Sequence, residues 1–396
     1  MRIFVRCIIA LLAITSVAAV SGVGRADTQP ETKVTLQRTP DGGIQPQAVV
    51  DEKGVIHLIY FRGEAKAGDV FYVRSADGGA TWSTPLRVNS QPNSAIATGT
   101  VRGAQIVLGK NGRVHVSWNG SDSALPKGPD NTTPMLYSRL NDAGDAFEPQ
   151  RNLITWANGI DGGGSLAADS KGNVYVFWHA NAGAEDEADR AVFMARSTDD
   201  GSTFAREIKI NLDATGACGC CQMRAFIGAD SALYVLYRAA GENENRDATL
   251  LISHDGGEKF FSTVLQKWEL MACPMSTFAF AQGTEKTSRV AVAWETEQQI
   301  YSSTITPAAI LQISPPAAAP AQGKNRKHPT LAVNARSEVL KAWTEGTGWA
   351  RGGSLAWQSY DAEGKPTIEK GEQNGVPVWS MPTAVALRDG TFLLFY

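Results

Sequence analysis

Charge and cysteine are both sparse in this chain. Of its 396 residues only 19% are charged, and 37 lysines and arginines nearly balance 40 aspartates and glutamates, for a formal net charge of −3. That balance excludes a nucleic-acid footprint. Beyond the first 26 residues no apolar run is long enough to cross a membrane as a helix. The five cysteines are too few for a dense disulfide scaffold, and their spacing completes no standard zinc pattern.

The chain opens with a targeting segment over residues 1–26. Arg2 and Arg6 form its basic end, Cys7–Val20 its apolar core, and Gly24-Arg25-Ala26 a small-residue cleavage site without a lipobox cysteine. The expectation is an exported protein, periplasmic or secreted, with no membrane association after cleavage and a single domain over 27–396. The 39 glycines and 10 tryptophans suit a turn-rich all-β fold.

Two repeats run through that domain. The first is Ser75-Ala76-Asp77-Gly78-Gly79-Ala80-Thr81-Trp82, of the form S-x-D-x-G-x-x-W/F. Its Ser and Asp can bond the turn's own backbone, its Gly can take φ > 0, and its aromatic ring can bury between sheets. It returns at Ser197–Phe204 and Ser253–Phe260, with two extra residues at Ser138–Phe147, and as a worn copy at Asp361–Gly364. The aspartates fall at 77, 142, 199, 255 and 361, so the doubled last step predicts a decayed copy, placed near Tyr301-Ser302-Ser303. The second repeat reads P-x-φ-A-x-D-x-x-G-x-V-x-V-x-W, with φ apolar. It closes at Tyr60, Trp118, Trp178, Tyr237, Trp294, Trp343 and Tyr396. Each copy is a tight hairpin, and about four strands per 50–60 residues is a propeller blade. Seven inner hairpins are counted. The last stops at the C-terminus, and Lys33–Arg38 can lend it an outer strand and close the ring.

The first repeat resembles the Asp box (BNR repeat) of the sialidase-like β-propellers. The resemblance covers the scaffold from about residue 33 to the end. It implies an all-β propeller of six or seven four-stranded blades: the family's catalytic domains have six, and the hairpin count favours seven with one incomplete. It also implies a ligand-binding face opposite the Asp-box turns, where first strands begin and second strands end.

Two functional readings stay open. By resemblance, that face recognises a glycan and can carry exo-sialidase-type hydrolysis. Arg62, Arg102, Arg224, Arg238 and Arg351 would anchor an acidic sugar through planar guanidinium contacts, and Asp122 or Glu269 would handle protons. This reading needs no cofactor. The family's F/Y-R-I-P arginine is replaced, however: the chain has Ile44-Gln45-Pro46-Gln47. Trp268, Trp349 and Trp379 lie off the blade register and can stack on a sugar ring or cover the channel mouth. The other reading, from a different class, is a non-catalytic propeller that binds a soft ion, copper or zinc. Its ligands would come from Cys218, Cys220, Cys221, Cys273 and His328, with Met223, Met271 and Met275 close by. The same cysteines in an oxidising compartment can instead form structural disulfides. Of the other histidines, His57 and His115 are expected in packing and His254 in solvent, while His179, which follows Trp178 at a strand end, can face the channel or pack.

Overall fold

The structure is a computed structural model that describes residues 33–211, 215–283, 289–308, 311–321, 323 and 325–396. The targeting segment expected over 1–26 lies outside them. Seven sheets follow one another along the chain. Blade 1 comprises Ile44–Val50, Ile56–Glu64, Ala67–Ser75 and Leu86–Arg87. Blade 2 comprises Gln105–Leu108, Val114–Asn119, Met135–Arg139 and Arg151–Asn152. Blade 3 comprises Ser165–Ala168, Val174–Ala180, Ala191–Ser197 and Ile208–Lys209. Blade 4 comprises Arg224–Ile227, Leu233–Arg238, Ala248–Ser253 and Phe261–Gln266. Blade 5 comprises Phe278–Gln282, Val290–Thr296, Gln299–Thr306 and Gln312–Ile313. Blade 6 comprises Arg326–Val333, Val339–Glu345, Gly353–Tyr360 and Pro366–Val376. Blade 7 has Thr383–Ala386 and Phe392–Phe395, and Val34–Gln37 from the other end of the chain pairs with the latter in parallel. The molecule is a seven-bladed β-propeller closed by its N-terminal strand.

The middle strands read as unbroken apolar runs because each blade is covered on both faces by its neighbours. Every residue of Val174–Ala180 is buried. Clusters span successive blades, and Ile56 and Leu58 of blade 1 pack with Val385 and Leu393 of blade 7. The closing tryptophans are core, and each finds an acceptor for its indole N–H: Trp118 donates to Ser94 O, Trp178 to Ala157 O, Trp294 to Gln266 Oε1 and Trp343 to Glu345 Oε1.

The Ser-x-Asp turns join third to fourth strands. In blade 1, Ser75 Oγ accepts from Gly79 N at 2.9 Å and donates to Asp77, whose carboxylate accepts from Thr81 N at 2.9 Å. Blade 3 repeats this with Ser197, Asp199, Gly201 and Thr203. The aromatic that follows packs on the preceding blade: Trp82 on Phe395 of blade 7, Phe147 on Tyr72 of blade 1, Phe204 on Tyr137 of blade 2. These turns fasten the ring, blade to blade.

One local expectation changes. Tyr301-Ser302-Ser303 lies within the third strand of blade 5, so the position of the decayed copy falls after Thr306, between third and fourth strands, where 309 and 310 lie outside the described residues. Further on, Ala317–Ala318 adds an edge strand to blade 5 opposite Tyr301 and Ser302.

Candidate functional site

Because strands alternate in direction, first strands begin at the end of the channel opposite the Ser-x-Asp turns. One polar residue per blade stands there: Gln47, Gln105, Ser165, Arg224, Thr277, Thr330 and Thr383, all lining an open cavity of about 300 Å³. Two residues further along, the lining turns apolar, with Val49, Val107, Ala167 and Ala279. Period-two alternation along each strand produces this change.

The backbone entering this ring is strained. Gln45, Met275, His328 and Trp379 take φ of 53°, 46°, 53° and 63°, each two residues before a cavity-lining residue. Register shifts at Gln45-Pro46 and His328-Pro329 mark bulges that re-aim Gln47 and Thr330. Left-handed backbone costs a bulky residue on the order of 1–3 kcal/mol, and such strain gathers at functional sites.

Arg224 is the ring's cation. From Nη1 it donates to Gln47 Oε1 at 2.9 Å and to Gln105 Oε1. Both partners are neutral amides, and among the described residues no carboxylate pairs with this guanidinium. Burial pushes its pKa down to about 10, so it stays charged at neutral pH. Thr277 Oγ1 is buried and has no hydrogen-bond partner among the described residues.

The other proposed arginines go elsewhere. Arg62 is partly exposed and lies 3.7 Å from Asp41. Arg102 is held by Asp161 and by Thr98 O. Arg238 is buried, donating to Arg246 O and to Ser276 Oγ, with its guanidinium 5.0 Å from the Trp268 ring. Arg351 is exposed in a tight turn with Gly348. Asp122 and Glu269 are exposed, and neither pairs with Arg224. Arg62, Arg102 and Arg238 are therefore engaged by other groups, and of the five arginines Arg224 alone lines the cavity. Gln45, standing where the family's arginine stands, instead ties blades 1, 2 and 7 together by donating to Ala97 O at 2.7 Å and to Trp379 O at 2.8 Å.

Two of the three off-register tryptophans meet. Trp349 and Trp379 pack edge to face at 4.9 Å, and Trp349 is 58% exposed. Gly99 makes room beside them: a Cβ there would come 3.2 Å from the Trp349 ring. Trp268 is buried over Arg238 and offers no free face.

Sequence reasoning missed the ring as a whole, though a signal was present. In six repeats the ring residue stands 13 positions before the closing aromatic, from Gln47–Tyr60 to Thr383–Tyr396. Blade 5 has 17.

The cysteines separate into two groups. Cys218, Cys220 and Cys221 are buried free thiols whose sulfurs lie within 4.8 Å of one another, while Cys273 is exposed and outside that group. No bridge ties Cys273 to the loop. Burial works to raise the Cys221 thiol, but bonds from Cys218 and Cys220 and the Arg238 charge outweigh it and hold Cys221 well below the usual thiol range. Met275 packs against the group. His179 does not face the open channel; it is buried, its Nε2 donating to Cys221 O at 2.9 Å. His328 is buried, and its Nδ1 has no hydrogen-bond partner among the described residues. His57 and His115 sit against Tyr72 and Tyr137 as packing residues, and His254 is exposed. Glu187 accepts from Gly219 N and pairs with Arg246, while Glu185 and Asp186 beside it are exposed.

No family model and no curated protein matches this sequence. Solved structures do share its fold. A Hadza microbial sialidase is 12% identical with a TM-score of 0.52, over 84% of this chain and 74% of that one. An ulvan lyase of a polysaccharide lyase family, bound to -[GlcA(1-4)Rha3S]-, is 12% identical with a TM-score of 0.53, over 88% of each. The fucose-recognising lectin of Aleuria aurantia, a six-bladed propeller, is 10% identical with a TM-score of 0.52, over 85% and 95%.

Proposed function

We propose that this chain is an exported propeller that binds an anionic glycan at the mouth of its central channel. One observation carries this reading: Arg224 is a part-buried cation whose hydrogen-bond partners among the described residues are the amide oxygens of Gln47 and Gln105. An arginine in that setting lacks the counter-charge that buried cations ordinarily have. A carboxylate or sulfate entering the cavity supplies it, in a charge-assisted and bidentate geometry. Around it, Thr277 offers an unused hydroxyl, and the Trp349–Trp379 pair offers an aromatic surface for the apolar face of a sugar ring. The sialidase, lyase and lectin of like fold act on or bind carbohydrates, and the Ser-x-Asp turns support a scaffold of Asp-box type. The engagement of Arg62, Arg102 and Arg238 by other groups, with Arg224 the one of the five that lines the cavity, favours binding over sialidase-type hydrolysis.

The test is calorimetric titration of the mature protein with uronate-bearing oligosaccharides, alongside Arg224→Gln. Binding that the variant loses supports the reading. Equal binding by both proteins overturns it, and sialoside cleavage by the wild type would replace it with the hydrolytic alternative.

A further inference from the structure

Independent of the channel, the loop that leads into blade 4 carries a second kind of chemistry. Cys218 Sγ lies 3.5 Å from Cys220 Sγ and 3.5 Å from Cys221 Sγ, and all three sulfurs fall within 4.8 Å of one another. The turn that gathers them is built by backbone contacts from three blades. Cys218 N donates to Arg238 O at 2.8 Å, Cys221 N to Cys218 O at 3.4 Å, Gln222 N to Ser276 O at 3.1 Å and Met223 N to Gly163 O at 3.1 Å. Glu187 clamps it from the other side by accepting from Gly219 N at 2.8 Å. The thiols are thus positioned by the fold rather than by one another.

The spacing fits one ion. Three sulfurs each about 2.3 Å from a central metal stand about 4 Å apart in a trigonal plane; Cys218 is 3.5 Å from each of the other two sulfurs, and the third pair lies within 4.8 Å, so the thiols need spread only slightly to take one ion. Among the described residues no histidine, aspartate or glutamate atom comes within 4.8 Å of all three sulfurs. Structural zinc sites take four protein ligands, and three-ligand zinc sites leave the fourth position to water or substrate; the three thiols here are buried, which suits neither arrangement well. Soft thiolates select copper(I). The Met275 side chain, which packs on the cluster, adds a polarisable thioether to the surroundings, and buried Arg238, bonded to Ser276, offers positive charge nearby.

We propose that Cys218, Cys220 and Cys221 form a three-coordinate copper(I) site. Binding forms three copper–sulfur bonds and releases to solvent the protons of whichever of the three cysteines enter as thiols; copper keeps its oxidation state throughout. Cys273 takes no part.

The test uses the mature protein, reduced, chelator-free and anaerobic, titrated with copper(I) against a chromophoric copper(I) chelator. One ion per chain is expected. Cys221→Ser should lose more affinity than the roughly 10–100-fold that removing an outer-shell partner costs, and Cys273→Ser should keep wild-type affinity. X-ray absorption of the copper-loaded wild type should show three sulfur neighbours, a readout that stands even if Cys221→Ser fails to fold. Absence of copper(I) uptake, a preference for zinc, or equal dependence on Cys273 would overturn the proposal. So would a metal-free protein two daltons lighter than its reduced sequence mass that resists reduction while folded, because the thiols would then be a structural disulfide.

Discussion

Arg224 Nη1 donates to Gln47 Oε1 at 2.9 Å across the channel mouth, although 177 residues separate them in the chain. The bond joins the first strand of blade 4 to that of blade 1 through a charge and a neutral amide. It orients the guanidinium without neutralising it.

Removing that charge should separate stability from function. Arg224→Met deletes a part-buried cation that no carboxylate among the described residues offsets, so its melting temperature should equal or exceed that of the wild type. Affinity for an acidic oligosaccharide should fall by about 10–100-fold, the equivalent of one charge-assisted hydrogen bond at about 1.5–3 kcal/mol. Paired calorimetric and thermal-melt measurements check both halves. A large loss of stability would show instead that Arg224 is a structural brace.

Trp349 is exposed, so its loss should leave the fold intact. Trp349→Ala should change stability by no more than about 0.5 kcal/mol. It should weaken glycan binding by about 2–10-fold, as befits an aromatic contact of about 0.5–1.5 kcal/mol. Unchanged affinity would remove the aromatic surface from the site.

At the opposite end of the channel, Ser197 accepts from the buried N–H of Gly201 at 2.9 Å. Ser197→Ala strands that donor and should cost about 1–3 kcal/mol in urea unfolding. Ligand affinity should stay at the wild-type value, because the turn fastens blades and lies on the far face. A binding defect without a stability defect would reverse that assignment of faces.

Acid should act through His328. Burial pushes its pKa down to about 3, against 6.5 for an unstructured histidine. As pH falls from about 6.5 towards 3, the unfolded chain takes up a proton that the folded chain refuses. Stability is therefore present above pH 6.5 and is lost progressively across that window, by on the order of a few kcal/mol. Asparagine tolerates the left-handed φ of 53° found here. His328→Asn should flatten the acid limb of urea midpoints measured between pH 6.5 and 4. Parallel limbs for variant and wild type would place the acid sensitivity elsewhere.

The propeller was legible because each blade repeats its own grammar. The Ser-x-Asp turns, the closing aromatics and the spare strand at Val34–Gln37 are local patterns that the fold uses where they stand. The site was only partly legible. That Arg224 belongs to the functional face followed from its place at the head of a first strand. That Arg102 is taken by Asp161, and Arg238 by Arg246 O and Ser276, depends on side chains from other loops and blades. Spacing alone cannot show which arginine remains uncompensated. The cysteines divide likewise: a four-residue turn brings Cys218 to Cys221, while Cys273, on the entry to blade 5, stays exposed and Ser276 and Met275 meet the cluster instead.

The measurement that bears most directly on the channel-mouth reading compares one uronate-bearing oligosaccharide with its carboxyl-reduced counterpart on the wild-type mature protein. The two ligands share their ring faces and every other hydroxyl, and differ at C6, where a neutral primary alcohol replaces the carboxylate offered to Arg224. Binding of the acidic sugar, with its neutral twin weakened by about 10-fold or more, is the predicted result. Equal affinity for both, or none for either across a panel of carboxylated and sulfated oligosaccharides, would contradict it.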